Sequence, residues 1–155
     1  MIVATLCLPV DFADGKILLG MKKRGFGKGK WNGFGGKVAP NEGIEQATTR
    51  EIFEEAGITP QALEKVALLH FEFEDKPEWE MQVHAYITRK WKGQPSESEE
   101  MKPKWFSLDE IPLEQMWDDD TYWLTRALAG EKLEGWFLFG KDEKVKEHQI
   151  TPAAL

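Results

Sequence analysis

The chain has 155 residues, 41% of them hydrophobic and 30% charged, which is enough for one domain with a hydrophobic core. The formal net charge of -7 argues against broad binding to nucleic-acid backbones, and the sequence contains neither a signal peptide nor an apolar run of membrane length. We therefore expect a cytoplasmic monomer without nucleic-acid or membrane partners, with a single domain over residues 1–150 and a loose tail at 151–155.

The first two predicted elements are strands. Residues 2–10 and 16–21 are rich in aliphatic side chains, and Asp14-Gly15 between them is a dipeptide that favours a hairpin turn. The single cysteine, Cys7, lies in the first of these strands. It cannot form an intramolecular disulfide, and we interpret it as a buried packing residue.

A glycine-rich loop follows at residues 24–36, where the backbone can approach a ligand closely. Basic side chains cluster in and around this loop: Lys22, Lys23, Arg24, Lys28, Lys30 and Lys37. Their positive charge would attract a small polyanion. A solvated basic loop is the alternative interpretation.

The next element is a helix over 44–56, closed by Gly57, which tolerates the left-handed conformation of a helix end. Glu51, Glu54 and Glu55 are three and four residues apart, so their like charges crowd one edge of the helix. A hard divalent cation, Mg²⁺ or Mn²⁺, would relieve the repulsion. Arg50 precedes Glu54 by four residues and is predicted to hold it by a charged hydrogen bond. The alternative is a solvated acidic helix.

The full pattern around this helix is Gly36, five residues, Glu42, seven residues, then Arg50-Glu51-Ile52-x-Glu54-Glu55-x-Gly57-Ile58. It resembles the signature of the Nudix hydrolases at every fixed position. The resemblance implies hydrolysis of a nucleoside diphosphate linked to another group. Magnesium, with manganese as a substitute, would be held by the Gly36 carbonyl and the carboxylates of Glu51, Glu54, Glu55 and Glu100. Glu54 is the first candidate for the base that activates water, Glu55 is the second, and Arg50 supports them.

The second half of the chain alternates strands and short helical segments. In the strand predicted at 66–74, Leu69, Phe71 and Phe73 share one face, which is the period of a half-buried strand. The remaining predicted elements are strands at 80–91, 104–106, 135–139 and 145–149, one helical turn at 108–111 stopped by Pro112, and a helix at 121–129 closed by Gly130. Strands around two helices indicate an α+β fold, a mixed α/β/α sandwich with a central mixed sheet, as the resemblance also implies.

Two further segments, residues 20–38 and 116–123, are similar to the animal MutT homologues, Nudix enzymes of the 8-oxo-dGTPase type that hydrolyse oxidised purine nucleoside triphosphates. The resemblance implies a pocket in which Asn32, Asp119 and Asp120 bond the purine edge while Trp117 stacks on its face. The other implied pocket residues are Thr5, Phe26, Phe71 and Met81, with Lys22 near the phosphates. Trp105 and Trp123 are interpreted as core or rim aromatics.

Adjacent aspartates at 119 and 120 cannot both ionise cheaply when they are close together. If one carboxyl keeps its proton, the pair offers a donor as well as acceptors, and it could accept both 8-oxoguanine and 2-oxoadenine. Asp118 occupies a position where the animal enzymes have proline, and we expect it to loosen this loop.

Together with the acidic helix, the resemblance implies magnesium-dependent hydrolysis of 8-oxo-dGTP and 2-oxo-dATP to the monophosphate and pyrophosphate, which would sanitise the nucleotide pool. A broader hydrolase of alkylated or ordinary purine triphosphates is an alternative. A non-catalytic nucleotide-sensing domain is another, although such a domain would be expected to have lost metal-binding acids, and none is lost here.

Overall fold

The computed structural model describes all 155 residues and contains ten strands and two α-helices. The strands are β1 (Ile2–Asp11), β2 (Lys16–Lys22), β3 (Trp31–Asn32), β4 (Thr59–Pro60), β5 (Glu64–Phe73), β6 (Met81–Thr88), β7 (Trp91–Lys92), β8 (Met101–Ser107), β9 (Leu133–Phe139) and β10 (Val145–Pro152). The helices are α1 (Ile44–Ala56) and α2 (Asp120–Leu128), and short 3₁₀ helices cover Pro77–Trp79 and Leu113–Gln115.

Eight strands form one mixed sheet in the order β10-β9-β5-β6-β1-β2-β3, with β8 paired to the other side of β2. The pairs β1–β6 and β5–β9 are parallel, and the other pairs in this sheet are antiparallel. Strands β4 and β7 make a separate two-stranded sheet. A mixed sheet with two helices confirms the predicted fold class.

The two helices lie on opposite faces of the sheet. Successive side chains of a strand point to opposite sides, and two neighbouring residues of β1 contact different helices. Cys7 of β1 packs in a small cluster with Ile52 and Ala56 of α1, whereas its neighbour Leu8 belongs to the main core with Trp123 and Leu124 of α2. Burial raises the pKa of the Cys7 thiol to about 12. This agrees with its interpretation as an inert packing residue.

Helix α1 has the predicted bounds, and Gly57 ends it in the left-handed conformation with φ 73°. Helix α2 begins one residue earlier than predicted and ends at Leu128. Strand β8 is longer than the predicted 104–106. It pairs with β2 over its whole length, and Pro103 is tolerated because β8 has no partner on its other edge.

Two predictions about secondary structure and the C-terminal segment were wrong. Residues 108–111 form turns rather than a helical turn, and the 3₁₀ helix lies after Pro112, at Leu113–Gln115, because a residue before proline avoids the helical conformation. The segment 151–155 is not loose throughout, since Thr151 and Pro152 pair with Glu134 and Leu133 in β9. The backbone N–H of Ala153 also donates to the Lys132 carbonyl at 2.9 Å.

Candidate functional site

A cavity of about 350 Å³ opens between β1, the 22–37 segment, β5, β6 and the start of α2. Side chains from distant parts of the sequence converge on it. Every residue predicted for substrate binding lines it: Thr5, Lys22, Phe26, Asn32, Phe71, Met81, Trp117, Asp119 and Asp120. Gly36 and Glu55 from the signature segment also line it, so the cavity joins the aspartate pair to the acidic helix.

Asp119 and Asp120 are adjacent buried acids of this cavity, only 5% and 8% exposed. Burial raises the pKa of Asp119 to about 7, and the hydrogen bond from Trp123 Nε1 to Asp119 Oδ2, at 2.8 Å, works in the opposite direction. Burial and then the charge of Asp119 raise the pKa of Asp120 well above its usual value. The pair therefore holds a proton near neutral pH and offers a donor as well as acceptors.

Trp117 forms an aromatic wall with residues from three other segments. Phe26 stacks on it with ring centroids 4.9 Å apart and planes at 24°, while Phe73 and Phe139 meet it edge-on at 6.4 and 5.7 Å. Phe26 comes from the glycine-rich loop and is 45% exposed. This wall is half-buried and presents flat apolar surface to the cavity, which suits a purine ring.

Two polar side chains complete the lining. The amide Nδ2 of Asn32, on the short strand β3, donates to the Lys30 carbonyl at 3.0 Å, which fixes the side chain. Thr5 lines the cavity, and its buried hydroxyl has no hydrogen-bond partner in the protein. An unpaired buried hydroxyl is costly, so a ligand that bonded it would gain from the interaction.

Arg50 is the centre of the ion-pair network on α1. Its guanidinium donates to Glu42 at 2.7 and 3.0 Å and to Glu51 at 2.9 Å. The predicted contact with Glu54 is present but is longer, at 3.3 Å. Hydrogen bonding to Arg50 lowers the pKa of Glu42 to about 2. Arg50 thus holds Glu42 and Glu51 more tightly than Glu54, because the short bonds go to those two acids.

Glu55 lies closest to the cavity and is 6% exposed. It accepts the Gly35 N–H at 2.9 Å. Burial raises its pKa to about 7, and the charges of Glu51 and Glu100 add to the increase. Gly36 passes directly beneath Glu51, where an added Cβ would stand 2.6 Å from the Glu51 carboxyl carbon. The Gly36 carbonyl accepts the Thr5 N–H at 2.9 Å.

Glu100 completes the predicted metal-ligand set from the loop before β8. Its carboxylate accepts Lys22 Nζ at 3.0 Å and Arg24 Nε at 2.7 Å. No three acidic, histidine or cysteine side chains converge into a ready cation cluster. Glu51 and Glu100 turn instead toward basic partners. The donors are nonetheless hard oxygen ligands, and the mutual repulsion around Glu55 is what a divalent cation would relieve, so the set fits magnesium.

Sequence reasoning missed Phe73, Leu124 and Phe139 as cavity residues, and it interpreted Trp123 as a core or rim aromatic. Trp123 is indeed 1% exposed, but it also donates to Asp119, four residues earlier on the same helical turn. That spacing was a usable signal. Phe139 reaches the cavity because β9 pairs with β5, a pairing that no local pattern shows. Trp105 lies outside the cavity, 37% exposed and stacked on Trp91.

The expectation that Asp118 loosens the pocket loop was wrong. Asp118 Oδ2 accepts the backbone N–H of Val145 at 2.8 Å and thereby ties the loop to the start of β10. A side chain that bonds a backbone group 27 residues away could not be assigned from the local sequence.

The chain is similar to known proteins over most of its length. A model of the NUDIX domain matches residues 2–127. The chain is 48% identical over 146 residues to a Danio rerio protein named oxidized purine nucleoside triphosphate hydrolase, covering 94% of this chain and 92% of the fish protein. A Mus musculus protein of the same name is 46% identical over 135 residues, covering 87% of this chain and 86% of the mouse protein.

Two bacterial proteins are also similar. The crystal structure of a MutT protein from Bacillus halodurans superposes with a TM-score of 0.84 at 26% identity, covering 99% of this chain and 100% of that one. The 8-oxo-dGTP diphosphatase of Escherichia coli is 36% identical over 74 residues, covering 48% of this chain and 55% of that protein. No helix of the chain has both the length and the apolar character needed to cross a membrane.

Proposed function

The chain belongs to the Nudix hydrolase family, and we propose that it hydrolyses oxidised purine nucleoside triphosphates such as 8-oxo-dGTP and 2-oxo-dATP to the monophosphate and pyrophosphate. The observation that carries the proposal is the cavity itself, in which a buried, proton-holding aspartate pair lies in the same space as Glu55 of the signature helix. The names of the fish and mouse relatives support the same substrate class.

Base recognition is proposed for the aspartate pair, Asn32 and Trp117. The Asp119–Asp120 pair has a proton to donate and oxygens to accept, so it can match edges whose donor and acceptor patterns differ. Asn32 adds an amide, and Trp117 provides the stacking face. Thr5, Phe26, Phe71 and Met81 would surround the rest of the ring.

The phosphates are proposed to extend from this cavity toward α1. Lys22 lies between the two regions and would add positive charge there. Glu51, Glu54, Glu55, Glu100 and the Gly36 carbonyl are the residues that would hold magnesium. Bound magnesium would neutralise phosphate charge and lower the pKa of bound water. Nudix hydrolases generally need a divalent metal, and manganese is a proposed substitute.

Hydrolysis requires an attacking water to lose a proton as its oxygen bonds to phosphorus and a phosphorus–oxygen bond of the triphosphate breaks, which gives the monophosphate and pyrophosphate. Glu54 is the proposed acceptor of that proton, since it stands exposed at the edge of α1 with Arg50 3.3 Å away to orient it. Glu55 is the second candidate because it lines the cavity itself. Monomeric state, cytoplasmic location, a single domain and the absence of nucleic-acid partners remain predictions from the sequence.

The proposal is tested by measuring pyrophosphate release with magnesium from a panel of oxidised, methylated and ordinary purine triphosphates. We expect kcat/KM for 8-oxo-dGTP and 2-oxo-dATP to exceed that for dGTP and dATP by about tenfold or more. An ordinary purine would leave some polar groups of the pocket without a hydrogen-bond partner, and this disfavours its binding. Equal efficiency across the panel would favour a broad house-cleaning hydrolase. No turnover of any triphosphate would favour a nucleotide sensor.

A further inference from the structure

The loop that carries Trp117 is connected to a part of the chain that takes no part in the cavity. Asp118 lies between the stacking indole and Asp119, and its Oδ2 accepts the Val145 N–H at 2.8 Å. Val145 is the first residue of β10 and adjoins an irregularity in the β9–β10 register, between Val145 and Glu147. The carboxylate thus supplies a bond to the backbone where the regular ladder begins.

A second contact joins the same two regions. Lys30 Nζ lies 5.1 Å from the centroid of the Trp117 ring, close enough for a cation–π interaction, and 3.8 Å from Glu143 Oε1. Glu143 belongs to the turn between β9 and β10. Lys30 therefore bridges the Trp117 indole and the turn between β9 and β10.

None of Asp118, Glu143 and Val145 lines the cavity, so none is placed to touch a base. Their contacts act on the loop instead. Trp117 must keep its edge-on contact with Phe139 of β9, at 5.7 Å, if its face is to stay parallel to an incoming ring. Because the loop is tied to β10, Trp117 is already held at this distance before a ligand binds. Less free energy is then spent on ordering the loop when the ligand binds.

We propose that Asp118 is a positioning residue for Trp117, assisted by Lys30, and that the β9–β10 hairpin (residues 133–152) thereby sets how tightly the base is held. This inference rests on the proposed function of the cavity. It makes β10 and the turn before it, none of whose residues lines the cavity, a determinant of substrate affinity.

The test compares Asp118→Ala with Asp118→Asn, since the asparagine Oδ1 can still accept the Val145 N–H. We expect Asp118→Ala to raise KM for the best triphosphate substrate about tenfold, the effect of losing one hydrogen bond to a charged group, with kcat within about twofold of wild type. Asp118→Asn should restore KM to within about threefold of wild type. Asp109→Ala, an exposed aspartate elsewhere, is the matched control and should change neither constant.

Asp118 also carries a charge that raises the pKa of Asp119, so charge loss is the competing explanation. Both variants remove that charge, and only Asp118→Ala removes the hydrogen bond. Equal KM values for the two variants would overturn the proposal, as would a normal KM for Asp118→Ala.

A readout that needs no turnover separates this inference from the proposed function. Amide hydrogen exchange measured by NMR should show the Val145 N–H protected in wild type and in Asp118→Asn, and exchanging at least about tenfold faster in Asp118→Ala. Unchanged exchange would overturn the tether even if the enzyme hydrolyses oxidised purines. Failure of the substrate panel with a normal exchange pattern would instead overturn the proposed function and leave the tether standing.

Discussion

At the scale of single residues, the least expected property is a pair of adjacent carboxyls buried together. Isolated buried charges are expensive, so such a pair is retained in its partly protonated form. Hydrogen bonding to Trp123 lowers the pKa of both carboxyls, whereas the hydrogen bond between the two carboxyls lowers the pKa of Asp119 and raises that of Asp120. Asp120 is therefore the carboxyl that keeps the proton.

This pair makes the stability of the protein depend on pH. Both pKa values are raised in the folded state, so each carboxyl contributes to the free energy of unfolding below about pH 3.8, the unfolded value. That contribution is lost as the pH rises through the raised pKa, which is about 7 for Asp119. Asp120→Asn removes the cost of taking up a proton at this site on folding. We expect it to raise the melting temperature at pH 7.5 by at least about 2 °C, with a smaller gain at pH 5.

Thermal unfolding at the two pH values checks this, with the exposed Asp75→Asn as a control. A gain of the same size at both pH values would mean that proton uptake by the buried pair on folding is not the cause. The same variant tests recognition. Profiles of turnover against pH for 8-oxo-dGTP and 2-oxo-dATP should differ among wild type, Asp119→Asn and Asp120→Asn, and identical profiles would contradict the proton-sharing model.

A second question at this scale is which glutamate accepts the proton from the attacking water. Glu54→Gln keeps the shape of the side chain and removes its ability to take a proton, so we expect kcat to fall by about 10²-fold or more with KM within about threefold. Glu45→Gln, an exposed acid in the first turn of the same helix, should behave as wild type. A Glu54→Gln rate near that of wild type would transfer the role to Glu55, which the same assay on Glu55→Gln would then examine.

Whether a contact of the site could be predicted from the sequence depends on how far apart its two residues lie along the chain. The acids of α1 could be predicted because helical spacing alone places them on one edge. The short hydrogen bond from Arg50 to Glu42 depends on how the 37–43 segment turns back onto the helix. The hydrogen bond between Asp118 and Val145 depends on where β10 lies. Neither is encoded by local spacing.

At the scale of elements, α1 acts together with the segment that precedes it. Residues 34–38 run along β1, where Phe34 exchanges backbone hydrogen bonds with Cys7 and the Gly36 carbonyl accepts the Thr5 N–H. This segment places Gly36 under Glu51 and lets the Gly35 N–H reach Glu55. The helix supplies the acids, and the segment fixes where they stand relative to the cavity.

Gly36→Ala should therefore impair catalysis more than folding. An added Cβ would lie 2.6 Å from the Glu51 carboxyl carbon, and this side chain would have to move. We expect kcat/KM to fall by about tenfold or more, because misplacing a catalytic group by about 1 Å costs up to 10²-fold. Gly43→Ala is the control, since φ there is -73° and the nearest atom to the new Cβ is 3.9 Å away. Similar losses in both variants would argue against a specific role for Gly36.

At the scale of the whole molecule, the cavity exists because the sheet brings remote strands together. Thr5 enters from β1, Phe71 from β5, Met81 from β6 and the aspartates from the start of α2. Strand propensity and alternation predicted most of these elements. They could not predict that β1 lies beside β6 and β5 beside β9, because parallel pairings join segments far apart in sequence, with no turn between them to reveal the partner.

The sheet also implies that the molecule unfolds as one unit, although its apolar core is divided into two clusters on opposite faces. Strand β1 contributes Leu8 to the larger cluster and Cys7 to the smaller one, so neither can separate without breaking the strand that both share. We expect urea unfolding followed by tryptophan fluorescence and by far-UV circular dichroism to give coincident transitions.

Truncating one side chain in each cluster tests whether the two clusters unfold together. Leu69→Ala in the larger cluster and Ile52→Ala in the smaller one should each lower the free energy of unfolding by about 2–5 kcal/mol and should shift both probes together. Phe53→Ala, the exposed neighbour of Ile52, should change it by less than about 0.5 kcal/mol. If Ile52→Ala moved only the circular dichroism transition, α1 would unfold independently of the sheet. The catalytic acids and the base pocket would then belong to separate cooperative units, contrary to the single domain predicted from the sequence.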